Sequence, residues 1–171
     1  MPDPREHMEN RPLLERILQY LPGFSGYMQR ERRREADALQ RNFLADRLQR
    51  AKRAIDEVSR ELTSRGMIDL LGDLDRLRGK IDKLMAQIRG AMHGYSGFFD
   101  LVQIDEKVLD RVYEHDADML DRVEELAEMV EDLPLERDPS QIAGRVQKCI
   151  DQTHEVERVF AMRAEILQGL D

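Results

Sequence analysis

His115 stands three residues before Asp118, and Asp151 three before His154, spacings that put an imidazole and a carboxylate on neighbouring turns of one helix. Helical bundles build di-metal sites from two glutamates and two Glu-x-x-His motifs. Glu114 adjoins His115, but the helix that would have to complete such a set carries only His93, at its end. A carboxylate–histidine metal-binding bundle on His115 or His154 is therefore the third of three functional readings, and no metal or cofactor is expected. Cys149, the single cysteine, falls on an apolar helical stripe and reads as a small core filler rather than a nucleophile. The chain has no phosphate-cradling glycine loop, nucleophile elbow or Cys/His zinc spacing, so no catalytic residue is expected.

Asp116 occupies a core position among apolar neighbours, where an ionised carboxylate needs a partner. Arg158 and Arg163 come level with it from the last helix. A buried Asp116–Arg163 pair that fixes helix register is the expectation, and a polar binding site is the alternative. The run Arg30, Arg32, Arg33, Arg34, continued by Arg41, Arg47, Arg50, Lys52 and Arg53, forms the main basic patch, nine bases against four acids over residues 30–53. It is expected to be a solvated or internally paired face. An anionic membrane surface is the alternative partner, and with no DNA-binding motif and a net charge of -8, nucleic acid is not expected.

The elements that must position these residues are helices. A short one, with Leu13, Leu14, Ile17, Leu18 and Leu21 on one face, ends at Pro22 and Gly23. A long one over 27–64 opens its stripe with Ala36, Leu39 and Phe43, then shifts phase to Leu44, Leu48, Ala51, Ile55, Val58 and Leu62. Gly66 suits a left-handed helix end. The next, over 67–92, carries Leu70, Leu74, Leu77, Ile81, Leu84 and Ile88 in alternating three- and four-residue steps. A third, ending by Leu133 and Pro134, holds Leu109, Val112, Asp116, Met119, Val123, Leu126 and Val130. Asp138-Pro139-Ser140-Gln141 starts the fourth, with Ile142, Val146, Cys149, Thr153, Val156, Phe160, Arg163 and Leu167 inward. Strand signals are nearly absent. The fold class is all-α, an antiparallel up-down-up-down four-helix bundle over 27–171 with coiled-coil-like helices, preceded by an arm with a short amphipathic helix over 1–26.

The phrase Gly-aromatic-Ser-Gly-aromatic occurs twice, at 23–27 and 94–98, and the aromatic after each glycine can fold back as a plug. Counting outward from the two short connections puts both copies, and all nine aromatics, toward the end opposite the first turn. That end is the expected interaction surface: Phe24, Tyr27, Tyr95, Phe98 and Phe99, with Arg32, Arg33 and Arg34 beside it. Gly72 and Gly79 lie opposite the core stripe of their helix, either tolerated there or packed against another backbone.

Charge is uneven: residues 1–90 hold 19 Lys/Arg against 15 Asp/Glu, and residues 91–171 hold 8 against 20. No apolar run approaches a membrane span, and the charged N-terminus lacks a signal-peptide core, so a cytoplasmic protein is expected. Leu21-Pro-Gly-Phe-Ser-Gly-Tyr27 followed by Arg32-Arg33-Arg34-Glu35-Ala36-Asp37 resembles the opening of an uncharacterised family of bacterial helical proteins. That resemblance implies a bacterial cytosolic protein and brings no activity, cofactor or catalytic residue with it. The leading functional expectation is a non-enzymatic bundle acting on a protein partner or on itself, as a possible homo-oligomer.

Overall fold

A computed structural model describes residues 11–27, 32–90 and 106–168. Among them all regular structure is helical: α1 (Arg11–Tyr20), α2 (Arg33–Ser64), α3 (Leu71–Gly90), α4 (Glu106–Glu131) and α5 (Pro139–Gln168), with 3₁₀ turns at Ile68–Leu70 and Leu133–Leu135. The four long helices form the bundle, and none is long and apolar enough to cross a membrane.

The alternating three- and four-residue stripes are what bury. Leu74, Leu77, Ile81, Leu84 and Ile88 of α3 face inward, as do Val112, Met119, Val123, Leu126 and Val130 of α4 and Val146, Cys149 and Val156 of α5. Each large side chain so buried contributes about 1.5–3 kcal/mol relative to exposure. Antiparallel hairpins are fixed by local chemistry at their turns. At the end of α2, Gly66 takes φ +72 while its N–H donates to the Thr63 carbonyl and that of Met67 donates to the Leu62 carbonyl. This pair of bonds is a Schellman closure, which asks for a residue without a Cβ. The start of α5 is capped by Asp138, whose Oδ1 accepts from the Ser140 N–H at 2.9 Å, followed by Pro139 in the first turn.

Surface pairs record the directions of the helices. Lys52–Asp82, Asp56–Arg78 and Asp46–Arg89 climb α2 as they descend α3, and Arg122–Glu155 and Glu125–Gln152 do the same for α4 and α5. Across the hairpins the neighbours run parallel. Arg47 of α2 grips Glu124 and Glu131 of α4 together, and Lys83 of α3 meets Glu157 of α5. The order round the bundle is therefore α2, α3, α5, α4, with α3 and α4 on a diagonal. Level-matching of those two as neighbours, the natural reading of consecutive helices, does not hold in space.

Two expected boundaries move. The first long helix begins at Arg33, not Tyr27, because Tyr27 is turned into the core behind Gly26 at φ +71. The second begins at Leu71 after a 3₁₀ turn, which leaves Met67 and Ile68 outside the core. From residue 11 onward the segment expected as an arm is joined to the bundle: α1 packs on α4, and Ile17, Leu21 and Phe24 lie in the same apolar core. Among the described residues, nothing outside their own helix lies within 4 Å of a Cβ added at Gly72 or Gly79. These glycines and Gly66 make opposite predictions. Gly66→Ala is expected to lower the unfolding free energy by about 1 kcal/mol, because an L side chain is strained at positive φ. Gly79→Ala is expected to raise it by about 0.5–1 kcal/mol, from an exposed helix interior. Urea denaturation of the two variants reads both, and equal signs would refute the cap.

Candidate functional site

The stripe of α2 does not shift phase where the sequence suggested. Stepping back from Leu48 and Leu44 by threes and fours arrives at Arg41 and Asp37, and both are buried, whereas Leu39 is 38% exposed. The core register simply continues with charged residues. Asp116 of α4 and Arg163 of α5 occupy the matching level, 0% and 3% exposed.

These four side chains form one chain of alternating charge. Arg163 donates from Nε to Asp116 Oδ1 at 2.9 Å and from Nη1 to Asp37 Oδ1 at 2.6 Å. Asp37 Oδ2 accepts from Arg41 Nε at 2.8 Å, and Arg41 Nη1 donates to the Ile88 carbonyl of α3 at 3.2 Å. All four bundle helices are thereby joined at a single level. The charges balance, two carboxylates against two guanidinium groups, which offsets the desolvation that makes isolated buried ions costly. Arg158, the other base expected near Asp116, is exposed and pairs with Glu155 instead.

Tyr27 closes the fifth side. Its hydroxyl donates to Asp116 Oδ2 and accepts from Arg163 Nη2 at 3.0 Å. The side-chain amide oxygen of Gln40 lies 2.9 Å from the same phenol oxygen. A phenol has one proton, which goes to the carboxylate as the stronger acceptor, so the amide meets it best with its NH₂ turned inward. Tyr113 accepts the Tyr27 backbone N–H at 2.8 Å, and the two rings lie 5.5 Å apart. Phe24 meets Tyr27 edge-on at 5.4 Å. His115 presents Nε2 to the Val159 carbonyl at 2.7 Å, which fixes that nitrogen as the protonated one because a carbonyl only accepts.

The environment displaces the proton equilibria. Burial alone pushes the Asp116 carboxyl up, but the Arg163 charge and the two hydrogen bonds that Arg163 donates hold it well below the usual carboxylate range. Burial opposes the charge on Arg163, yet Asp116, Tyr27 and Asp37 keep its guanidinium well above the ordinary value. Burial, with Asp116 beside it, raises the Tyr27 phenol well above 10.0. None of these three groups exchanges a proton near neutrality, where a general acid or base has to work. What the arrangement does chemically is hold charge still.

The other sequence candidates are dispersed. Phe24 and Tyr27, expected to face a partner, are 5% and 0% exposed and serve as the plug of the N-terminal segment, so their rings cannot reach another surface in this fold. Tyr95, Phe98 and Phe99 lie outside the described residues. Arg32 and Arg34 are exposed, and Arg33 donates from Nε to the Tyr27 carbonyl at 2.5 Å. Of the basic stripe, Arg41 and Arg47 are buried against carboxylates and Lys52 pairs with Asp82, which breaks its continuity as a patch. His154 is exposed, and no group of three His, Cys, Asp or Glu suited to a metal occurs among the described residues. Burial pushes the Cys149 thiol up to about 11. A thiol reagent at pH 7.5 is therefore expected to leave the native protein unmodified for as long as it stays folded and to react at once in denaturant. Immediate native labelling would contradict the burial.

Sequence reasoning reached Asp116 and Arg163 because each replaces an apolar residue in an unbroken rhythm. Asp37 and Gln40 were missed, and Arg41 was placed in the basic stripe rather than the core, although the same rhythm, run backward from Leu48, leads through Arg41 to Asp37. No family model matches the chain, and no curated protein or solved structure matches it.

Proposed function

We propose that this chain is a non-enzymatic helical bundle that works by presenting a rigid surface to a protein partner or to another copy of itself. The observation that carries this reading is the state of its buried polar network. The residues most suited to chemistry are locked into a balanced, hydrogen-bonded cluster, and Asp116, Arg163 and Tyr27 are each driven away from proton exchange near neutral pH. Such a cluster suits a part that keeps helices in register, which is the best-attested use of buried ionic groups. A cytoplasmic setting in a bacterium accords with the resemblance of residues 21–37.

Where the surface lies is suggested by exposed apolar side chains. Ile68 is 66% and Leu135 72% exposed, and they sit on the two connecting turns at the same end of the bundle, with Met67 next to Ile68. Large apolar groups on short, well-braced turns fit a contact surface. The interaction end is thus proposed at the turns, away from the aromatic end. Affinity capture from a lysate of the native host tests the reading, with the wild-type chain compared with Ile68→Asp/Leu135→Asp. Specific retention lost in the double variant is expected. Identical captured sets from both proteins, or none, would defeat it.

A further inference from the structure

At the turn end a cleft of about 420 Å³ opens between the last turns of α2 and the Leu133–Leu135 connection. It is backed by Val58 and Leu62 of α2 and Ile142 of α5. Glu57 and Glu61 rim it on the α2 side, and Arg137 stands on the opposite side. Arg65 is paired with Glu61, and Arg145 with Glu136. Glu57 and Arg137 have no ionic partner among the described residues. Leu135 projects between Pro134 and Glu136, two residues that line the cleft.

One patch thus contains a protruding apolar side chain, an apolar-backed hollow, an unpaired acid and an unpaired base. A heterologous partner needs only the complement of such a patch. A patch that contains both halves of its own complement is what a two-fold contact requires, because each group on one copy must meet a different group on the other. We infer that two copies of this chain associate end to end about a two-fold axis at these turns. Leu135 of each copy enters the cleft of the other, and Arg137 of each meets Glu57 and Glu61 across the axis. Ile68 and Met67, on the adjoining turn, extend the apolar contact. The charged rim contributes specificity and registers the two copies, while the leucines supply the desolvated centre. This inference rests on the interaction reading above and names its partner as a second copy.

Sedimentation equilibrium of the purified full chain across a wide concentration range tests it without any lysate. The wild-type protein is expected to dimerise with concentration. Leu135→Asp and Arg137→Glu should each weaken the dimer by at least about tenfold, which at about 1.4 kcal/mol per decade is the size expected for a central apolar residue or a rim charge facing a like charge. Both positions are on the surface, and unchanged helicity and melting would show that the fold is intact. The decisive arm is a mixture. Arg137→Glu copies repel one another, as do Glu57→Arg copies, but one of each restores both cross-axis pairs, so the two variants mixed should dimerise where neither does alone. A wild-type chain that stays monomeric overturns the inference, as does a dimer indifferent to both single variants, or a mixture that stays monomeric. A monomeric purified chain leaves the broader interaction reading standing, because that reading fails only when host capture is insensitive to the turn end.

Discussion

Arg163→Met is expected to lower the unfolding free energy by about 3–5 kcal/mol at pH 7, the cost of removing one partner from a buried ion pair. Among the described residues the guanidinium is the only cation in contact with Asp116 through charge-assisted bonds, and it also bridges to Asp37 on another helix. Methionine has comparable bulk, so cavity formation adds little, and the loss reports the uncompensated carboxylate. Denaturant titration measures it, and a loss under about 1 kcal/mol would mean that the network is ornamental. A companion variant, Asp116→Leu/Arg163→Met, removes both charges. Arg41 still satisfies Asp37, so the double variant is expected to recover at least half of the single variant's loss.

The same substitution carries a pH signature. Asp116 titrates lower in the folded protein than its ordinary value of 3.8. A depressed carboxyl stabilises the fold fully above its unfolded pKa, and the contribution is lost as the pH falls toward the folded value. Wild-type stability should therefore decline on acidification below about pH 4, in step with an unfolded aspartate. Without Arg163, burial dominates and pushes the carboxyl up instead, so protonation on acidification now favours the fold. The stability gap between wild type and Arg163→Met is expected to narrow between pH 7 and pH 4.5. A gap that widens over that range would show that Asp116 does not carry the effect.

Gly26→Ala is the second large effect, at about 2–4 kcal/mol. Two independent causes add. Gly26 holds φ +71, where an L residue costs about 1–2 kcal/mol. A Cβ there would also stand 2.5 Å from the Tyr113 hydroxyl, the group that accepts the Tyr27 N–H. Relief of that clash moves Tyr113 or Tyr27, and Tyr27 is bonded into the Asp116–Arg163 cluster. Gly23 separates the causes: it has φ +92 but, among the described residues, nothing near its added Cβ, so Gly23→Ala should cost only the backbone strain. Thermal melts of the two variants should therefore differ, with Gly26→Ala the lower by several degrees. Equal melting temperatures would remove the steric half of the explanation. Tyr113→Phe in the Gly26→Ala background tests it again, because it clears the space and leaves the Tyr27 N–H without its acceptor.

Much of the fold was legible because the relevant forces act along one helix. The three- and four-residue spacing of apolar side chains identifies the inward face of each helix, and Gly66, Asp138 and Pro139 terminate or start helices through bonds made within a few residues. Asp116 and Arg163 were visible for the same reason, as charges interrupting an otherwise apolar line. In α2 the line was harder to read. Leu39 and Phe43 offered a competing phase, and apolar residues were followed where Asp37 and Arg41 held the register.

The first Gly-aromatic-Ser-Gly-aromatic phrase divides along the same boundary. Sequence alone determined that it would turn and carry two rings, since glycine at positive φ is a local property. That Tyr27 would meet a carboxylate 89 positions away and a guanidinium 136 positions away was decided only by the tertiary structure. So were the diagonal placement of α3 and α4, the internal pairing of Arg41 and Arg47, and the exposure of Ile68 and Leu135 at one end. The physical reason is common to all of them. Periodicity fixes which face of a helix turns inward, whereas the identity of the group opposite depends on which helices become neighbours, and that is settled by packing the whole set at once.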